Sequence, residues 1–345
     1  MHTRSSLNFS VFFFFLSITF LYLFSYFYTN FYSVSLEQGD ELAYFISASK
    51  MNENNLSFFE KCVISLGSSL SFLWPVILSY VPNLSLESNN IFLLARITLL
   101  LSACIYFFKT FKLNNFIIIL LIPFIFQASI YAGTLYRDDI IFSIFLFAIS
   151  ILHRNVLSPL GLILVLVLIS FRASLIGIII PIGAGIIFFI FKKNNTSKLI
   201  FLLCASVFLL IIYLGVSQGL FQYSLNIIGG VSIDIGSIFR PFLSPINPFL
   251  VEGNIRYDNP VIFILMNPIK IFFLLSLMYL FFLEVKIKNF FEIFIILAAA
   301  APYMLFPENL GMRQSISIQF CLYALILNNV LKAIQNNNYL NNERI

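Results

Sequence analysis

Charge is what this sequence has least of. Only 10% of its 345 residues are charged, while 60% are hydrophobic. A water-soluble domain carries about 25% charged residues, so this composition cannot cover a core with an aqueous surface. Histidine is nearly absent. The two present, His2 and His153, fall in segments read below as cytoplasmic loops. That excludes histidine acid–base catalysis and histidine zinc sites, and with them membrane acyltransferases that need an intramembrane histidine. The four cysteines, Cys62, Cys104, Cys204 and Cys321, show no metal-ligand or redox spacing and read as small core hydrophobes. No basic patch alternates with aromatics on a soluble stretch, so the net charge of +5 does not point to nucleic acid. No internal repeat is visible, which weighs against a secondary transporter or flippase.

What is present is a series of long apolar runs, at 8–32, 91–108, 116–133, 140–152, 157–171, 173–191, 199–216, 261–283, 290–305 and 314–331. The expected fold class is all-α: a polytopic transmembrane bundle of about ten spans. Residues 1–345 then form a single integral membrane domain. The first run is long enough to span and has no small-residue cleavage site after it, so it reads as a signal anchor. Residues 62–80 are uncharged and could also span. Orientation argues against it. If they do not span, Lys109, Lys112, Arg154, Lys192, Lys193, Lys198, Lys286, Lys288 and Lys332 share the side of Arg4, the positive-inside pattern. Residues 62–80 therefore read as interfacial or re-entrant helix, with Trp74 at headgroup level. Two external loops follow, 33–90 and 218–259, with a cytoplasmic tail at 332–345. Both termini are expected in the cytoplasm.

This topology sorts the charges. The cytoplasmic set is mostly lysine in short loops. The external set is rich in acids and arginine, which matches carboxylate or phosphate in a bidentate way. Four constellations, and Arg172 apart from them, carry it. Gly39-Asp40-Glu41, followed by Leu42, Phe45 and Ile46 on one helix face, opens an interfacial helix; both acids suit an N-terminus structurally. Arg137-Asp138-Asp139 opens another helix, where the acids suit the dipole and the arginine could clamp phosphate. Arg172 sits at a tight turn between two short spans, because an arginine at the bilayer centre is costly. Arg313 enters the last span, and loop 218–259 carries Arg240 and Arg256.

The order of Gly39-Asp40-Glu41, Tyr44, Ala48, Trp74-Pro75 and Ala95-Arg96 resembles the start of the GT-C class of membrane glycosyltransferases. The resemblance covers about the first 150 residues. It implies interfacial helices in the first external loop, an acidic general base there, and a sugar donor carried on polyprenyl phosphate at the outer face. Arg137-Asp138-Asp139 lies where such proteins place a second acidic motif. A competing resemblance, carried by Arg172, Arg240, Arg256 and Gly311-Met312-Arg313-Gln314, is to repeat-unit polymerases of O-antigen and capsule synthesis (the Wzy type).

Both imply a protein of the bacterial inner membrane handling undecaprenyl phosphate- or pyrophosphate-linked sugars, with a glycan or lipid acceptor. The expected reaction is inverting glycosyl transfer in surface polysaccharide assembly. The expected base is Asp40, with Glu41 as alternate. Arg137, Arg172, Arg240, Arg256, Arg313 and a snorkelling Lys270 are the expected phosphate ligands. No cofactor is required; a divalent metal at Asp138 and Asp139 is the one candidate.

Overall fold

The computed structural model describes residues 13–27, 40–54, 56–68, 72–82, 84, 90–172, 260–282, 289–304 and 312–342, with isolated positions between 175 and 186. The expected span 199–216, the loop 218–259 with Arg240 and Arg256, and both chain ends lie outside them, as does more than half of 173–191.

Among the described residues every regular element is a helix. In chain order they are α1 (Phe13–Phe27), α2 (Asp40–Glu53), α3 (Phe58–Ser68), α4 (Leu73–Leu78), α5 (Asn90–Phe111), α6 (Asn115–Ala132), α7 (Asp138–Arg154), α8 (Pro159–Phe171), α9 (Pro260–Phe282), α10 (Phe290–Met304) and α11 (Met312–Asn342). Three are long and apolar enough to cross a membrane: α5, α6 and Ser315–Gln335 of α11. Shorter apolar stretches lie at Phe13–Phe27, Pro159–Phe171, Leu265–Leu280 and Phe290–Ala300. The described residues are thus all-helical, with three helices of the length and hydropathy that membrane spans have.

Local chemistry sets the turns. Lys112 adopts φ 50° between α5 and α6, a left-handed conformation that costs a non-glycine residue roughly 1–2 kcal/mol but lets the chain reverse at once. Asn114 then caps α6, its side chain accepting from Phe116 N at 2.9 Å. Ser158 caps α8 with Pro159 in the first helical position, where a missing N–H costs nothing. Residues 62–80 are divided between α3 and α4, of 11 and 6 residues. At 1.5 Å per residue neither approaches a hydrocarbon core about 30 Å thick.

The last helix, α11, is the centre. Every residue from Ser315 to Val330 is buried, and α6, α7, α9 and α10 pack around it. Phe320 meets the rings of Phe107, Phe124 and Phe142 at 5.9, 6.3 and 4.9 Å. The outward faces of α8 and α9 stay apolar, with Leu160, Ile163, Leu166, Ile271, Phe272 and Leu275 exposed.

The bundle has two chemically distinct ends. At one, Asn328 of α11 meets Phe111 and Asn114, and Lys109, Lys112 and Arg154 lie there too. His153 closes α7 at this basic end, its Nδ1 2.7 Å from Oε1 of Glu292 on α10. It is part of a helix and not of a loop. The other end holds the starts of α5, α7 and α11 and the ends of α6 and α8. The link 283–289 is too short to carry α9 back across the bundle, so α9 also starts there.

Candidate functional site

Asp138 and Asp139 occupy the first turn of α7 and are both buried. Neighbouring helical residues point about 100° apart, so the two acids serve different partners. Asp139 faces α5 and Asp138 faces the end of α8.

Arg96 of α5 takes Asp139 in a two-point grip: Nε donates to Oδ2 at 2.9 Å and Nη2 to Oδ1. The same guanidinium donates to the carbonyls of Tyr131, at 2.9 Å, and of Thr134 and Tyr136. These carbonyls belong to the last turn of α6 and the turn that follows, whose acceptors have no helical partner. Arg96 is thus a clamp that fixes the α6–α7 connection to α5. Its flat face is covered by Phe92 and Trp74, 5.1 and 5.5 Å from the guanidinium carbon.

Trp74, expected at headgroup level, is instead fully buried. Its indole N–H donates to the Leu135 carbonyl at 2.8 Å, and its ring lies 5.9 Å from Phe171. The physical reason is that this turn offers a carbonyl and a cation, both of which an indole satisfies better than lipid does.

Arg172 ends α8 at a turn, as its charge requires, but it is buried and paired with Asp138. Its guanidinium here holds a carboxylate of its own chain. The same pairings occupy the proposed metal position. Asp138 and Asp139 each face a guanidinium, and among the described residues no group of three His, Cys, Asp or Glu could hold a metal ion.

Arg137, between these pairs and the turn, is different. Its guanidinium carbon lies 5.3 Å from the ring of Tyr44 on α2. This contact brings the two acidic motifs together. Asp40 opens α2 one turn before Tyr44, with Glu41 next to it; their side chains lie outside the described ones. The stripe that turns inward on α2 is Tyr44, Ala48 and Met51, and α2 rests on α4, the helix of Trp74. Ile46, expected with Leu42 and Phe45 on one face, is on the opposite side and exposed. Arg313 falls in the first turn of α11 at this same end, with its side chain undescribed.

Lys270 does not snorkel. It is completely enclosed. The rings of Phe124, Tyr323 and Phe273 mark one level of the bundle, with Tyr323 5.6 Å from Phe124 and 4.4 Å from Phe273. One helical turn nearer the aspartate end, the same faces carry Gln127 of α6, Gln319 of α11 and Lys270 of α9, all fully buried. A further turn on lie Ser315, which accepts from Gln319 at 3.0 Å, and Asn267, whose buried side-chain oxygen accepts no hydrogen bond from the described residues. A polar column thus runs through an otherwise apolar bundle.

Sequence reasoning singled out Asp138, Asp139 and Arg172 but gave Arg96 no role in the site. The signal was available: an arginine six residues into an apolar run needs a buried counter-charge, and Asp138-Asp139 is the acidic pair that opens a neighbouring span. Comparison with protein-family models, with curated proteins and with solved structures finds no match to this chain.

Proposed function

We propose that this protein transfers a glycosyl group from a polyprenyl-phosphate-linked sugar, at the membrane face where α2 and α7 begin. The observation that carries the reading is the contact of Arg137 with Tyr44, which sets a helix opened by two acids beside a helix start that carries an arginine. Lipid-linked glycosyl transfer needs both. The acceptor hydroxyl attacks the anomeric carbon, and its proton passes to a carboxylate, for which we propose Asp40 with Glu41 as alternate. The bond between that carbon and the phosphate oxygen breaks, and the phosphate leaves with the electron pair. Negative charge grows on the phosphate, where a prearranged guanidinium lowers the barrier. Arg137 takes that role here, with Arg240, Arg256 and Arg313 as further candidates. Arg172 reaches a phosphate only by releasing Asp138.

The test is the surface-polysaccharide banding of a deletion strain complemented with variants. Asp40→Asn keeps the size and much of the capping ability of Asp, yet it cannot take the proton. Turnover should fall by about 10²–10⁴-fold, with Glu41→Gln doing less. A deletion strain with unchanged glycan would sink the proposal. Normal banding for Asp40→Asn with loss for Glu41→Gln would move the base by one residue.

A further inference from the structure

The helices that carry the polar column, α6, α9 and α11, pack pairwise on one another. Each contributes one long polar side chain at the same level, and Gln127, Lys270 and Gln319 are all fully buried. Polar and ionisable groups held inside a membrane bundle are costly, and those that persist mark ligand or ion paths.

Elsewhere in the described core, buried polar side chains close their hydrogen bonds locally. Ser25 donates to the Ser129 carbonyl at 2.6 Å, and Asn329 donates to the Leu325 carbonyl at 2.9 Å. The column differs. The buried side-chain oxygens of Gln127, Asn267 and Gln319 accept no hydrogen bond from the described residues, although both glutamines have other partners. A buried acceptor of this kind raises the free energy of the fold until a donor reaches it.

The column also sits where its walls are weakest. Pro268 stands between Asn267 and Lys270 in α9, and Pro123 lies one turn before Gln127 in α6. A proline removes one ladder hydrogen bond from a helix interior, so both helices bend most easily at this level. The column runs up to the aspartate site: the carbonyl of Tyr131, one turn beyond Gln127, is held by Arg96.

We infer that the column is a binding site for the polyhydroxylated head of a membrane-anchored ligand, entered from the aspartate end by movement of α9. The amide oxygens call for hydrogen-bond donors. A metal ion or an amine would be repelled by the Lys270 ammonium, and an ionised phosphate or carboxylate brings no donor. Hydroxyl groups answer both demands, because each donates to an amide oxygen and accepts from Lys270 or an amide N–H. Several hydroxyls on one ring serve side chains from three helices at once. The rings of Phe124, Tyr323 and Phe273 close the inner end, an apolar floor of the kind that ligand sites combine with a few polar groups. The inference stands apart from the glycosyl-transfer reading, because its test reads access and occupancy and not turnover.

The full-length protein, with its four native cysteines changed to alanine and carrying Gln319→Cys, is placed in phosphatidylcholine nanodiscs. Both membrane faces are then open to a charged thiosulfonate reagent, and the column thiol should react. Gln127→Cys should behave alike, and it keeps the test open if Gln319→Cys does not fold. A chain whose sole cysteine is Cys321, buried and two positions along α11, should stay unmodified. Octyl glucoside, kept below its solubilising concentration, should suppress labelling of the column thiols. Octyl tetraethylene glycol ether, whose ether oxygens accept but do not donate, should leave it unchanged. Failure of both column thiols to react, or reaction of Cys321 at the same rate, would make the column sealed packing and overturn the inference. Equal suppression by the two amphiphiles, or by neither, would exclude a hydroxyl ligand and overturn it as well.

Discussion

At the residue scale, Arg96 is tightly constrained among the described residues. A buried charge is tolerated only when it is paired and hydrogen-bonded, and Arg96 meets both conditions through Asp139 and three carbonyls. Removing one member of a buried pair typically costs about 3–5 kcal/mol. Arg96→Met strands the Asp139 charge and also takes away the hydrogen bonds given to the Thr134 and Tyr136 carbonyls, a loss of about 1–3 kcal/mol for each that nothing else satisfies. Asp139→Asn removes one charge but leaves an acceptor oxygen in place. Thermal unfolding in detergent should therefore rank Arg96→Met as more damaging than Asp139→Asn. Equal midpoints would show that the carbonyl bonds contribute little. The chemistry of Asp138-Asp139 was legible in the sequence because adjacent acids at a helix start are visible in one dimension. Their partners were not, because Arg96 and Arg172 reach them through folding, from 43 and 34 positions away. Lys270 was misread for a related reason. Snorkelling assumes a lipid-facing helix side, and only packing reveals that this face of α9 meets α6 and α11.

At the element scale, length and hydropathy made α5, α6 and α11 readable, since each is a long apolar run. The segment 62–80 was harder. Its lack of charge says span, whereas the parity of the basic loops says otherwise, and two short helices occupy it. Periodicity gave no help, because the face of α3 that carries its polar residues is the one turned inward. The pairing of α7 with α8 is equally invisible in sequence, although one glycine marks it. A Cβ built on Gly161 would lie 2.9 Å from Leu152 Cδ2 and 3.2 Å from Ile151 Cγ2. The nearest atom is the tip of a flexible side chain, so alanine can be admitted by a small swing of Leu152. The higher helix propensity of alanine, roughly 1 kcal/mol over glycine, offsets that adjustment. Gly161→Ala should leave the unfolding midpoint nearly unchanged. Gly161→Leu cannot be accommodated this way and should lose about 1–3 kcal/mol by overpacking. A midpoint for Gly161→Leu at the wild-type value would mean that α8 shifts freely on α7, and that the α7–α8 contact does not hold Arg172 against Asp138.

At the scale of the whole molecule, the sequence separates charges by type and the fold gathers them by place. Lys109, Lys112 and Arg154 share the end that His153 and Glu292 close, whereas Asp138, Asp139, Arg137 and Arg172 share the other. A bilayer reads this asymmetry through the lysine and arginine of its short loops, so we predict that the basic end faces the cytoplasm and the aspartate end faces outward. Cysteines in exposed described positions test it directly. Glu53→Cys, at the end of α2, should react with an impermeant maleimide in intact cells. Asn155→Cys, in the turn between α7 and α8, should react only after permeabilisation. The same reagent extends the argument to parts of the chain beyond the described residues: Ser85→Cys and Gly253→Cys should label from outside, and Arg4→Cys and Lys193→Cys only from within, as should Lys332→Cys in α11. The pattern discriminates between errors. Reversal at every position would mean that the orientation is wrong while the arrangement of ends stands. Reversal of Glu53→Cys and Ser85→Cys alone would break the charge-parity argument at the first loop. It would also detach α2 and its two acids from the face on which Arg137 lies, a separation that the contact of Tyr44 with Arg137 does not permit.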